Sequence, residues 1–374
     1  MANLYLHYPF CKQACHYCNF HFSTNEKGRD EMLNLIFKEI QLRANEVQSP
    51  IESIYFGGGS PSLIKATELS VFISDIKNIF KIPATVEITL EVNPDDVSEL
   101  YLNALKAAGI NRLSLGVQSF FNRDLVLMHR AHDADQAHTA LSLVKKYFEN
   151  FSLDLVYGMP YSTLLDWKNN LNLALEYDPP HISTYALTVE KKTALHHLVK
   201  DKKVELIEDE QVKAQYDFLV DTLTDLDYVN YEFSNFGKPG HYSVNNQNYW
   251  NGKAYLGVGP SAHSYDGKAL RSWNVANNHR YASGIMSEKL FRETEKLSTK
   301  DLYNEYIMTG LRKVEGLSLD QIKKRFGKTY VAYLEEQVSR HLDQRNIFWD
   351  GDYLKVAKEA KFLTDGIAAD LFKI

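Results

Sequence analysis

Cys11, Cys15 and Cys18 are the only cysteines in the chain, and they lie in one short segment. With three residues between the first pair and two between the second, their thiolates can bind one cubane iron–sulfur cluster, which takes four cysteines when the protein holds every iron. One iron would then have no protein ligand. The spacing predicts a [4Fe–4S] cluster with one iron open to a small molecule.

Two other uses of these cysteines have different requirements. A disulfide framework needs paired cysteines, whereas this chain has an odd number in one segment with no secretory leader before it. A zinc ribbon would show a second CxxC pair, which the sequence lacks. A zinc site completed by His7, His16 or His21 remains open as the alternative.

Composition and charge narrow the class of protein. The chain has 374 residues, 44% of them hydrophobic and 24% charged, which is ordinary for a globular protein of two or three domains. Its net charge of −6 provides no basic footprint for nucleic acid or an anionic membrane. No apolar run approaches the roughly 20 residues that cross a bilayer. With all-thiol cysteines, these features predict a soluble cytoplasmic protein without a direct membrane anchor.

Strands and helices alternate from residue 3 to about 187, and they must position the cysteine loop. The apolar patterns predict strands at 4–8, 53–56, 87–92, 112–117, 152–157 and 182–187. They predict helices at 31–47, 65–79, 99–108, 134–148 and 165–175. Six such units predict parallel strands with right-handed crossovers, as in all or part of an α/β barrel. Functional residues are then expected where the strands end.

Polar and glycine residues do follow these predicted strands. Gly57–Gly59 follows the second strand, where missing side chains would let the backbone approach a ligand. Glu91 ends the third strand, Gln118 ends the fourth and Asp154 lies on the fifth. Each such residue alone is more often structural, but parallel strands would bring all of them to one edge of the sheet.

The CxxxCxxC spacing followed by an aromatic residue resembles the radical S-adenosylmethionine (SAM) superfamily. In that superfamily the open iron binds the amino and carboxylate groups of SAM, and an electron from the cluster cleaves SAM to a 5′-deoxyadenosyl radical. The resemblance implies that Cys11, Cys15 and Cys18 hold the cluster. It also implies that the GGGxP segment contacts the methionine amino group of SAM, while the protein binds, orients and shields the cofactor.

A longer series of motifs resembles one family in particular. In chain order they are CxxxCxYCxF, FGGGSPS, EVNP, RLSLGVQSF, HRAH and DLVYGMP. This order, over nearly the whole chain, is similar to the oxygen-independent coproporphyrinogen III oxidase family and its haem chaperone branch. The resemblance implies an α/β fold, a radical SAM partial (β/α)6 barrel with a small α+β extension and a C-terminal winged-helix-like domain. The expected boundaries are 1–190, 191–298 and 299–374.

The same resemblance implies a set of residues around SAM. They are Tyr5, Tyr17, Gly58, Gly59, Ser60, Glu91, Gln118, Arg130 and Asp154. Glu91 and Asp154 are expected to accept hydrogen bonds, and Gln118 and Arg130 to orient SAM. The implied cofactors are the [4Fe–4S] cluster, SAM and haem.

The segment 188–298 departs from the alternating pattern. It predicts a polar connection at 190–203, a helix at 208–226 and strands at 228–236, 255–265 and 269–273. Its dense aromatic residues would form either a core between the helix and a small sheet or a flat wall for a planar ligand such as a tetrapyrrole. Where the chaperone branch has a His-Asn-x-x-Tyr-Trp motif, this chain has Asn245, and an amide is a poor iron ligand. His241, His263 and Tyr249 are the nearby alternatives.

The C-terminal segment predicts helices at 301–312, from Ser318 and at 330–342, strands at 347–349 and 353–356, and a last helix from about Thr364. Three helices and a hairpin resemble a winged helix. Residues 301–374 contain 12 Lys plus Arg and 12 Asp plus Glu, without the basic stripe of a nucleic-acid module. We therefore expect packing or partner contacts, not nucleic-acid binding.

Three functions are compatible with the motifs. The first is a haem chaperone that delivers haem to acceptor proteins, which the sequence leaves unidentified. The second is an oxygen-independent coproporphyrinogen III oxidase, which decarboxylates two propionates. The third is a radical SAM enzyme with another substrate. Oxidases of this family have a longer segment before the cysteine loop and a further cysteine two positions after the third, which gives a CxxCxC motif. In this chain Phe20 occupies the position of that further cysteine. These features favour a haem chaperone that is related to the oxygen-independent coproporphyrinogen III oxidase, a dehydrogenase, but lacks its activity.

Overall fold

A computed structural model describes residues 2–374, and its centre is a sheet in which six consecutive strands run parallel. Each strand pairs with the next along the chain. These strands are β1 (Ala2–Tyr8), β2 (Ile51–Gly58), β3 (Glu87–Val92), β4 (Arg112–Gln118), β5 (Phe151–Tyr157) and β6 (His181–Ala186). Because both faces of the sheet are covered, side chains on successive positions of most strands are buried.

Helices connect the parallel strands and cover the sheet. They are α1 (Arg29–Arg43), α2 (Ala66–Ile79), α3 (Glu99–Ala108), α4 (Asn122–Leu127), α5 (Ala134–Tyr147) and α6 (Leu164–Leu175). In α2 the buried residues Leu69, Phe72, Ile73 and Ile76 follow the spacing of one helical face. The predicted α/β class and six-unit partial barrel are confirmed. Among residues 2–374, no helix is both long and apolar enough to span a membrane.

The segment after β6 extends this sheet at both edges and forms no separate sheet. Its elements are α7 (Ala194–Lys200), α8 (Asp209–Asp225), β7 (Val229–Glu232), β8 (Asn235–Gly237), α9 (Val244–Trp250), β9 (Ala254–Val258), β10 (His263–Tyr265), β11 (Leu270–Asn274), α10 (Asn278–Met286) and β12 (Arg292–Lys296). The β7–β8 hairpin pairs with β6, while β9 pairs parallel to β1 and is followed outward by β10, β11 and β12.

Several predictions for this segment were wrong in detail. The polar connection at 190–203 contains α7, which Thr193 caps by accepting a hydrogen bond from the His196 N–H. The single strand expected at 228–236 is the β7–β8 hairpin. No sequence pattern predicts α9, α10 or β12, because α9 and α10 are short and polar and β12 is exposed along its whole length.

The C-terminal elements enclose a second hydrophobic core around Tyr303, Ile307, Leu334 and Leu354. They are α11 (Thr299–Arg312), β13 (Leu317–Ser318), α12 (Leu319–Phe326), α13 (Lys328–Gln337), α14 (Ser339–Asp343), β14 (Ile347–Asp350), β15 (Tyr353–Val356) and α15 (Thr364–Asp370). The helices α11, α12 and α13 beside a three-stranded sheet give the expected winged-helix-like arrangement, and α14 and α15 are two further short helices. The helix predicted at 330–342 is divided into α13 and α14.

A buried ion pair joins α1 to the end of β9 and to α10. The Arg43 guanidinium donates to Glu39 Oε1 (2.7 Å) and to the Gly257 carbonyl oxygen (2.8 Å). Glu39 Oε2 also accepts hydrogen bonds from the Gly259 N–H (2.8 Å) and the Tyr281 hydroxyl (2.6 Å). Since both side chains are buried, this network fixes the end of β9 beside α1.

Glu39→Ala should therefore strongly destabilise the protein, because it leaves the Arg43 charge and several donors buried without their acceptor. We expect a loss of roughly 3–5 kcal/mol in the free energy of unfolding. Urea unfolding followed by circular dichroism measures it. Glu99→Ala is the control, since Glu99 pairs with Lys146 on the exposed surface and its loss should change the free energy of unfolding little. Equal losses in the two variants would contradict the assigned role of the network.

Candidate functional site

A cavity of about 510 Å³ lies at the carboxyl edge of the parallel sheet, beneath the cysteine loop that follows β1. It collects residues from the ends of all six strands. The predicted site residues that line it are Cys11, Cys15, Tyr17, Cys18, Gly58, Gly59, Ser60, Glu91, Gln118, Arg130 and Asp154. Tyr5 lies outside this lining and faces a neighbouring cavity, with its ring stacked on Tyr55 at a centroid distance of 6.0 Å.

The three thiols are half-buried around one wall of the cavity. Burial raises the pKa of Cys11 to about 11 and also raises the pKa of Cys18, with the neighbouring thiols adding to the shift. A metal-bound thiol is deprotonated, so the shift describes the metal-free loop. Three thiols on one wall fit the donor set of an iron–sulfur cluster, and assignment of these residues as its ligands stays a prediction.

Histidines near the loop bear on the zinc alternative. The Nε2 atom of His7 lies 2.8 Å from the His21 carbonyl oxygen, and its Nδ1 atom lies 3.3 Å from the Tyr5 hydroxyl. His16 Nδ1 lies 2.9 Å from the Leu127 carbonyl oxygen. His21 Nε2 lies 2.7 Å from Asn278 Oδ1. These contacts engage both ring nitrogens of His7, which argues against His7 as a zinc ligand, whereas they engage only one nitrogen of His16 and one of His21.

Two glycines allow the loop after β2 to pass close to the cysteine loop. Gly58 has a φ of 107°, and a Cβ atom there would lie 2.8 Å from the His7 ring. A Cβ atom on Gly59 would lie 2.6 Å from the Phe10 carbonyl oxygen. A side chain at Gly58 would therefore push the end of β2 away from His7 on β1, and one at Gly59 would push it away from the start of the cysteine loop, so both glycines are needed for this close packing.

Arg130 connects the cysteine loop to the ends of two strands. Its guanidinium lies 3.5 Å from Cys15 Sγ and donates to Asn93 Oδ1 (2.8 Å) and to the Gly116 carbonyl oxygen (3.0 Å). Its buried Nε–H has no partner among residues 2–374. The arrangement places a positive charge beside a thiol and leaves one donor for a ligand, which suits a site for an anionic cluster and the carboxylate of SAM.

Glu91 and Asp154 are two carboxylates deep in the cavity. Burial raises the pKa of Glu91 to about 7, although the Tyr55 hydroxyl donates to it at 2.9 Å. Burial also raises the pKa of Asp154, and the hydroxyl groups of Ser114 (3.0 Å) and Ser152 (3.1 Å) oppose the shift by donating to its oxygens. Two oriented acceptors at this depth can bind hydroxyl or ammonium groups of a ligand.

Gln118 ends β4 with an unusual backbone conformation. Its φ of 67° falls in the left-handed region, and the pairing with β5 shifts register between Leu115 and Gln118. Gly116 leaves space for the folded-back amide, since a Cβ atom there would lie 2.9 Å from Gln118 Nε2. Strain of this kind is often found at ligand sites, and here it brings an amide into the cavity.

Sequence reasoning did not assign Asn93, Tyr55, Ser114 or Ser152 to the site. Asn93 holds Arg130, Tyr55 holds Glu91, and the two serines hold Asp154. The alternation of side chains along a strand was the available signal, because Ser114 and Ser152 are opposite one another in the β4–β5 pairing.

A second cavity, of about 740 Å³, adjoins the first one, and Asn19 and Phe20 line both. Asn245, Tyr249 and His263 line this second cavity, whereas His241 is not part of its wall. Glu87 on β3 anchors the start of α9 by accepting the N–H groups of Val244 (3.0 Å) and Asn245 (3.2 Å). The aromatic residues of this segment are divided between the core, as for Tyr231 and Phe236, and this wall.

The fold and the cysteine cavity are those of a radical SAM protein. The family model described as "Radical SAM superfamily" matches residues 5–174, and the model described as "HemN C-terminal domain" matches residues 297–363. The chain is 35% identical to "Heme chaperone HemW" of Bacillus subtilis, covering 90% of this chain and 88% of that protein. It is 30% identical to "Heme chaperone HemW" of Lactococcus lactis, covering 97% of each. The chain belongs to the HemW family.

One solved structure covers the whole chain. Coproporphyrinogen III oxidase (HemN) from Escherichia coli matches 100% of this chain and 90% of its own, with a TM-score of 0.84 and 21% sequence identity. The likeness establishes a shared fold, and at this identity it does not extend to the reaction.

The raised pKa of Glu91 predicts a pH-dependent stability of the metal-free protein. Between the ordinary pKa near 4.5 and the folded-state value of about 7, the folded state retains a proton that the unfolded state has lost. Stability should therefore fall as the pH rises through this window and level off above it. Glu91→Gln has no such proton, so the difference in melting temperature between wild type and variant should change between pH 5 and 8. A constant difference would contradict the raised pKa.

Proposed function

We propose that this protein is a haem chaperone that carries a [4Fe–4S] cluster and SAM on its radical SAM core, binds haem and transfers it to acceptor proteins. The single observation that carries the proposal is the cavity beneath the cysteine loop, whose lining includes three thiols, an arginine and two half-buried carboxylates. The names of the relatives supply the haem function. Their similarity over nearly the whole chain supports its transfer to this protein.

The residues of the first cavity have distinct roles in this proposal. Cys11, Cys15 and Cys18 hold the cluster, which when bound supplies the electron that cleaves SAM. Arg130, fixed by Asn93, provides positive charge and a donor beside the cluster. Among the other SAM-binding residues, Glu91 and Asp154 accept hydrogen bonds.

A coproporphyrinogen III oxidase is the second candidate, favoured by the polar residues that line the first cavity. Phe20 argues against it. This residue occupies the position of the further oxidase cysteine, and its side chain is 68% exposed at the junction of the two cavities. A benzyl group there cannot supply a thiol, so any step that needs that thiol is lost.

The acceptor proteins and the cellular location complete the proposal. We infer a cytoplasmic protein, since its cysteines are free thiols, and transfer of haem through direct contact with acceptors. The neutral C-terminal segment supports a role in protein contacts over one in nucleic-acid binding.

Cys15→Ala should lose the visible absorbance of the cluster and most bound iron after anaerobic reconstitution, because two thiols cannot replace three. Asp154→Asn is the matched control in the same cavity: it should keep its iron and bind SAM on the order of tenfold more weakly, since it loses hydrogen bonds to a charged group. Iron quantification and equilibrium dialysis with labelled SAM provide the readouts. Unchanged iron in Cys15→Ala would refute the ligand assignment, and normal SAM binding by Asp154→Asn would refute its contact with SAM.

The assay for the oxidase uses reconstituted, iron-quantified protein with SAM, a strong reductant and coproporphyrinogen III. We expect no protoporphyrinogen, because Phe20 replaces a cysteine of the oxidase motif. Chromatography of protoporphyrinogen and 5′-deoxyadenosine together separates the candidates. Product formation coupled to SAM cleavage would make this protein an oxidase and overturn the chaperone proposal.

A further inference from the structure

The second cavity has the size and walls of a site for a large planar ligand. Its volume of about 740 Å³ falls within the range of roughly 300–1,000 Å³ that is typical of ligand and cofactor sites. The rings of Tyr5, Tyr249, Tyr255 and Trp273 line it, and Tyr249 is 49% exposed. Flat aromatic surfaces of this kind suit the face of a tetrapyrrole.

We propose that this second cavity is the haem site of the protein and that His263 provides a ligand to the haem iron. The inference rests on the proposed function, which states that haem binds but not where or through which atom. His263 begins β10, pairs with Trp273 on β11 and stacks on its ring at a centroid distance of 5.7 Å. The imidazole is thus held on the wall beside an aromatic surface.

The other candidate side chains are less suited to bind iron. Both ring nitrogens of His7 are engaged, and His21 Nε2 faces Asn278. Asn245 lines the cavity but offers only an amide. No hydrogen bond from residues 2–374 engages the ring nitrogens of His263, which is the exposed histidine of this wall.

Charge around the cavity supports the same assignment. Partial burial of the ring and the neighbouring Arg271 lower the pKa of His263, so its imidazole is neutral near pH 7 and able to bind a metal. Arg271 also lines the cavity, where its guanidinium can attract a haem propionate. Arg271 also forms a salt bridge with Glu305 on α11, at 2.6 Å. A haem propionate bound to Arg271 would therefore lie close to the C-terminal unit.

The position of the cavity links haem to the cysteine loop. Asn19 and Phe20 directly follow Cys18 and line both cavities. Between the cavities, Tyr5 stacks on Tyr55, whose hydroxyl donates to Glu91. Haem in the second cavity would therefore contact the same loop that holds the cluster.

The test titrates reconstituted wild-type protein and His263→Ala with haem and, separately, with metal-free protoporphyrin IX, and follows the Soret band. Binding of haem depends on the side chain that ligates its iron and on the residues that line the cavity. Binding of protoporphyrin IX, which has no iron, depends only on the lining residues. We expect His263→Ala to bind haem at least about tenfold more weakly with a shifted Soret band, and to bind protoporphyrin IX within about twofold of wild type. Added imidazole should restore the Soret position. His241→Ala is the matched control and should behave as wild type.

The outcomes separate the inference from the function on which it rests. If wild type binds no haem, the chaperone proposal fails. If wild type binds haem and His263→Ala keeps the same affinity and Soret band, His263 is not the ligand. Equal losses of haem and protoporphyrin IX binding would make His263 a packing residue and also overturn the ligand assignment.

Circular dichroism checks folding, and His263→Gln, which keeps a polar side chain, replaces the alanine variant if that variant unfolds. A Soret change in Tyr249→Phe alone would assign the ligand to Tyr249.

Discussion

Parallel pairing of β1 to β6 is the constraint on which the rest of the molecule depends. Strands that run in one direction end at one edge of the sheet, so each connection contributes residues to the same cavity. The strand β9 also runs parallel to β1, so its carboxyl end lies at the same end of the sheet. The antiparallel return through β10 then places His263 beside the cysteine loop region, although 245 residues separate it from Cys18 in the chain.

Buried polar networks hold this edge in place. Arg130 links a cysteine to Asn93 and to the Gly116 carbonyl, and Glu39 with Arg43 joins α1 to the end of β9. The pair of Glu39 and Arg43 balances charges that would be costly to bury alone, whereas Arg130 is held by neutral acceptors and its Nε–H has no partner among residues 2–374. The side chains at the site are therefore oriented before any ligand binds, which reduces the cost of ordering them on binding.

The two cavities share Asn19 and Phe20, the residues that follow the last cysteine. This arrangement would place the proposed haem site next to the radical SAM site. Phe20 stands where a further thiol would otherwise face the cavity, and its exposed ring instead extends toward the aromatic wall. The salt bridge between Arg271 and Glu305 brings the C-terminal unit to the same wall. Contacts made by an acceptor protein with that unit would thus be close to the haem proposed there.

The sequence by itself determined the fold class and the six βα units, because local periodicity reports on elements that begin and end within about 30 residues. Most residues of the first cavity were implied by the resemblance of the motifs to a known family. The strands after β6 were harder: their partners are β1 and β6, far away in the chain, so no local pattern shows that they extend the main sheet. The roles of Asn93 and Tyr55 in the site could not be predicted for the same reason, since their partners Arg130 and Glu91 lie on other elements. Only the tertiary structure decided that Tyr5 faces the second cavity and that His263, not His241, lines it, because the direction of a side chain depends on which strands pair across the sheet.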